Sequence, residues 1–107
     1  MELHIIDRIF IPSILPAENT FMDFNMKREI IKKVAITEAD AEKYSIKEDK
    51  ENHRTTWNAE LDYDSPLVVD FTSQELAYLK SACEKLADKP APDNLWATVE
   101  KIYEAAK

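Results

Sequence analysis

Four groups of side chains in this sequence have the atoms for chemistry: the acids Asp62, Asp64 and Asp70, the histidines His4 and His53, the cysteine Cys83, and the two tryptophans as anchors. The acids around Tyr63 could hold a hard cation or share a proton as a general acid and base. A calcium loop of the EF-hand type needs a central glycine and a distal bidentate glutamate, and this stretch has neither in register. The chain contains no glycine at all. Glycine-rich phosphate loops and dinucleotide fingerprints are therefore excluded, because both need backbone that approaches a ligand closely.

Two histidines cannot build a three-histidine zinc centre within one chain. His4 sits in an apolar segment and His53 in a polar one, and neither has a nucleophile at a recognisable spacing. Cys83 falls in the middle of a helical pattern, on its apolar stripe. A reactive thiolate needs a helix N-terminus or a cation beside it. These residues predict no catalytic, cofactor-binding or metal-binding set, and hence a protein that is not an enzyme.

The elements that must hold these residues follow from spacing. Residues 3–15 are the most apolar stretch, and Leu3, Ile5, Ile6, Ile9, Phe10, Ile11, Ile14 and Leu15 surround a helical wheel almost completely. The reading is a helix over about 3–11, then a kink or restart at Pro12, ending near Pro16; a strand over 3–11 competes with it. Met26, Ile30, Ile31 and Val34 form one face of a second helix starting near Asp23 or Asn25. Thr37 and Asp40 predict a capping box that opens a short third helix ending by Tyr44. Arg54–Asn58 and Leu67–Phe71 read as an antiparallel pair, with 45–47 as a third short strand and 59–65 as a loop. Thr72 and Glu75 form a second capping box. Leu76, Leu79, Cys83 and Leu86 follow it on one face, and the helix stops before Pro90. Asp93 caps a final helix carrying Leu95, Trp96, Val99, Ile102 and Tyr103, which packs antiparallel to the preceding one.

The predicted fold is α+β: a single domain over 1–107, mainly helical, with a small antiparallel hairpin. Its core should collect Ile6, Ile9, Phe10, Ile30, Val69, Leu79, Leu86, Trp96, Val99 and Ile102. At 107 residues the chain can bury a real core without staples. One cysteine allows no internal disulfide, which suits a reducing cytoplasm. The start of the chain lacks the basic region of a signal peptide, and no apolar run is long enough to span a membrane.

The net charge is −7 and is unevenly spread. Residues 1–36 hold five acids and five bases, 37–70 hold ten acids and four bases, and 71–107 hold six acids and five bases. No basic face is available for displacing counterions from nucleic acid, so direct nucleic-acid binding is not expected.

The isoleucine-rich Arg8–Leu15 followed by Pro16, then Asn19-Thr20-Phe21 and Met26–Glu29, Trp57-Asn58 ahead of a strand and Phe71–Leu76 ahead of a helix, resemble small proteins encoded by bacteriophages and prophage-like elements. That resemblance implies a phage-related setting and no particular activity. The expectation is a cytoplasmic accessory protein that binds a protein partner or a second copy of itself, with Ile5, Ile9, Phe10, Ile14 and Trp57 as the interface. The alternative is an acidic inhibitor or nucleic-acid-mimicking decoy that meets a basic protein through 38–70. Behind both stands a small carboxylate-dependent enzyme.

Overall fold

The computed structural model describes residues 1–106, of which six helices and four short strands form an α+β fold that is 59% helical. Strand β1 is Glu2–Leu3. The helices α1 (Ile5–Ile14) and α2 (Phe21–Val34) follow, then α3 (Glu38–Lys43), β2 (Lys47–Asp49), β3 (Arg54–Thr56), α4 (Ala59–Asp64) and β4 (Leu67–Val68). Helices α5 (Ser73–Leu86) and α6 (Asp93–Ala105) complete the chain.

The long helices make a bundle. Helix α1 packs against α2, α5 and α6, and α5 also packs against α2 and α6. Ile11, Ile14, Ile30, Val34, Leu79, Cys83, Val99 and Ile102 form its centre, with Leu3 brought in from β1 and Val69 from just after β4. Of the core expected from sequence, Ile30, Val69, Leu79, Val99 and Ile102 are buried there. Leu86 and Trp96 are half-buried at its edge. Ile6, Ile9 and Phe10 are half-buried and lie outside the central cluster. A helix offers one stripe to a core, and Asp7, Ile11 and Ile14, spaced four and three, take that position on α1.

Helix α1 runs unbroken through Pro12, where a kink was expected. An internal proline removes one backbone bond and costs about 3 kcal/mol. Burial of Ile11, Ile14 and Leu15 offsets it, since each such side chain contributes about 1.5–3 kcal/mol. The helix starts only at Ile5 because Glu2 and Leu3 pair with Val68 and Leu67.

That pairing corrects the expected hairpin. Leu67–Val68 meets the start of the chain, and Arg54–Thr56 instead pairs with Lys47–Asp49. Residues 59–64 are helix, with the Asn58 side chain accepting from the Leu61 N–H at 3.1 Å. The β2–β3 turn is made without glycine. His53 takes φ 51°, and the Asp49 carboxylate accepts from the Glu51 and Asn52 N–H groups. Both predicted capping boxes are present, at Thr37–Asp40 and Thr72–Glu75.

Candidate interaction surface

Helix α2 begins earlier than expected. The Thr20 hydroxyl accepts from the Asp23 N–H at 3.2 Å, so Phe21 and Met22 fall in the first helical turn. The inward stripe of α2 passes through Met26, Ile30 and Val34, and large apolar side chains stand outside it on the first turn. Phe21 is 78% exposed, Met22 77% and Phe24 45%. The Arg28 guanidinium lies 5.6 Å from the centre of the Phe24 ring and holds one edge of this patch.

A groove of about 380 Å³ lies between α2 and α5 beside this turn. Pro16, Asn19, Asp23 and Met26 form one wall, and Tyr78, Ala82 and Lys85 stand on the other. Met22 precedes Met26 by one helical turn, so apolar surface continues from the exposed patch to the groove. The rim is fixed by polar bonds. The Tyr78 hydroxyl donates to the Asn19 side-chain oxygen, and the Asn19 amide donates to the Pro16 carbonyl at 3.0 Å. Lys27 reaches the same carbonyl at 2.8 Å. Burial, helped by the charge of Asp23, raises the Tyr78 hydroxyl above its ordinary pKa and keeps it a donor.

The residues singled out for an interface do not form one surface. Ile5 and Ile14 are 1% and 3% exposed and cannot meet a partner, because α1 sits centrally and is covered by its neighbours. Ile9, Phe10 and Trp57 are half-buried. Phe21, Met22 and Phe24 were missed. Thr20 and Asp23 have the same spacing as Thr37 and Asp40, and that cap would have placed Phe21 and Met22 on a helix.

The groups with chemical potential serve the fold. Asp62 turns inward, and its carboxylate accepts from the Ile5 N–H at 2.9 Å, while Asp64 and Asp70 are exposed. His4 Nδ1 lies 3.2 Å from the Asp62 carbonyl, and its ring stacks on Tyr63. Asp7 accepts from the His4 N–H, from Thr98 at 2.6 Å and from Lys101 at 2.5 Å. Together Asp7 and Asp62 satisfy backbone donors that the start of α1 would otherwise leave free. Cys83 is fully buried, and burial, with the charge of Glu84, pushes its thiol up to about 11. Among the described residues, no three His, Cys, Asp or Glu side chains come together in a way that could hold a metal ion. Among them, too, no helix is long and apolar enough to cross a membrane. The chain matches no family model, and no curated protein or solved structure is significantly similar to it.

Proposed function

We propose that this protein acts by binding another protein, without a reaction of its own, and that Phe21, Met22 and Phe24 are the anchors. The observation that carries this reading is the concentration of three large, exposed apolar side chains in one helical turn beside a fixed groove. Binding energy at protein contacts concentrates in a few large side chains seated in pockets. A phage or prophage setting and a cytoplasmic location belong to the same proposal. They fit a small accessory protein whose Cys83 is the only cysteine in the chain.

The test is the triple variant Phe21→Ser, Met22→Ser, Phe24→Ser. These positions are exposed, so circular dichroism and melting should stay near wild type. Photocrosslinking from position 25, on the same turn, should capture a partner from the native host, or a second copy, and the variant should lose that capture. Equal capture by both proteins refutes the assignment.

A second reading rests on a separate observation. Glu38, Glu42, Glu48, Glu51, Glu60 and Asp64 are all exposed and form no salt bridge among the described residues. Such a surface suits a basic protein, as an acidic inhibitor would. Binding through it must weaken steeply with salt, whereas binding through the α2 turn must not.

A further inference from the structure

We propose that residues 36–66 form a strap that opens from α1 as one unit, turning about Ala35 and Pro66, while the four-helix bundle stays folded. The strap contains α3, the β2–β3 ribbon and α4. Its ribbon, residues 47–56, is exposed throughout.

Polar clasps hold the strap shut. At one end Arg8, buried in α1, donates to the Asp40 carboxylate at 2.7 Å. The same guanidinium grips the hinge, donating to the Val34 carbonyl at 3.0 Å and to that of Ala35. At the other end Asp62 accepts from the Ile5 N–H, and Tyr63 lies parallel to the His4 ring with centres 6.0 Å apart.

Internally the strap is cross-tied. Tyr44 is buried but lies outside the bundle's apolar cluster. Its hydroxyl donates to the Ser65 carbonyl, and its own carbonyl accepts from the Asn58 N–H at 2.7 Å. The Ile46 N–H donates to the Ala41 carbonyl at 2.9 Å. The end of α3 is thus bonded to both ends of α4, and the segment moves as a body when its clasps release. Elements with few buried apolar contacts to the rest of a fold open at lower free energy than the core. Opening frees the Ile5 N–H and the Asp62 carboxylate that accepts from it, at the foot of a side chain only 1% exposed. The strap is therefore a gate over the first turn of α1.

Hydrogen exchange of single amides by NMR on the full chain tests this. The Ile5 amide, bonded to Asp62 across the clasp, should exchange at least a hundredfold faster than amides in the middle of α5 and α6, and with little dependence on low urea. The Ala41, Ile46 and Asn58 amides, bonded within the strap, should stay slower than Ile5. Asp40→Asn, at a partly exposed carboxylate at the other end of the strap, should speed Ile5 about tenfold and leave α5 and α6 unchanged. An Ile5 amide that exchanges together with the bundle amides and with one urea dependence overturns the proposal. So does an Ile5 rate that Asp40→Asn leaves unchanged, which marks separate fraying ends, and so do Ala41, Ile46 and Asn58 amides as fast as Ile5, which mark a strap that unfolds.

Discussion

Replacing Asp7 by asparagine should weaken the fold more than any surface change. The Asp7 side chain is 3% exposed and accepts from the His4 N–H at 3.0 Å, Thr98 at 2.6 Å and Lys101 at 2.5 Å. It joins the first turn of α1 to α6. Asparagine keeps the shape but has one acceptor oxygen, and its amide must point at a group that also donates. Hydrogen bonds to a charged group contribute about 1.5–3 kcal/mol each. Lys101, 36% exposed, recovers most of its share by turning to water. Thr98 is fully buried and cannot turn to water, and a buried donor left unmatched costs about 1–3 kcal/mol. The expected loss is therefore about 2–4 kcal/mol, against a total stability of about 5–15 kcal/mol for a domain of this kind. Urea unfolding followed by tryptophan fluorescence reads it directly. With a slope of about 1–3 kcal/mol per molar, the midpoint should fall by about 1–3 M. Lys101→Met alone should lose about 1 kcal/mol, and the double variant should lose less than the sum of the two singles. A midpoint for Asp7→Asn within about 0.2 M of wild type would refute the reasoning, because it would mean that these three donors are equally well served without the charge.

Acid should weaken the protein. Burial alone would raise the Asp40 carboxyl, but hydrogen bonds from Arg8 and Thr37 outweigh it and hold the group below its usual value; Lys33 and the Thr72 N–H do the same for the buried Glu75. A depressed carboxyl stabilises the fold above its unfolded pKa and loses that contribution as pH falls through the folded one. The urea midpoint should therefore be level near pH 6 and drop below about pH 4.5, with a shallower drop in Lys33→Met; a midpoint flat to pH 3 contradicts this. Cys83, with its thiol near 11 and no exposure, should resist a thiol reagent at pH 8 until denaturant is added. Immediate reaction in the native state would contradict its burial.

What the sequence made legible was local. The capping boxes at Thr37 and Thr72 are recognised within four residues, and the stripe from Leu76 to Leu86 within eleven, so α3 and α5 lie where they were expected. What it hid depends on distant partners. Leu3 pairs with Leu67 across the whole middle of the chain, and no spacing announces that. Residues 59–64 look like an acidic loop until Asp62 is seen capping α1, 57 residues away from the Ile5 N–H that donates to it. Arg8 interrupts an apolar run for the same kind of reason: its guanidinium satisfies carbonyls at the end of α2 that helix geometry leaves open. Ile5 and Ile14 are buried where an interface was expected, because an all-round apolar helix belongs in a core or at a contact, and only its neighbours decide which.

Magnitudes also say what kind of partner the α2 turn suits. Large apolar side chains carry about 150–250 Å² each. At the exposures of Phe21, Met22 and Phe24 the patch amounts to roughly 400 Å². At about 25 cal/mol per Å², its burial would contribute about 10 kcal/mol. Association itself costs about 4–15 kcal/mol, so the three anchors bring a partner close to balance without securing it. The groove beside Tyr78 and the Arg28 edge must supply the remainder. Permanent dimers bury more than about 2,000 Å² in total, far beyond what this turn offers. If the proposed anchors do bind a protein, these magnitudes favour a partner that associates reversibly over a permanent second copy.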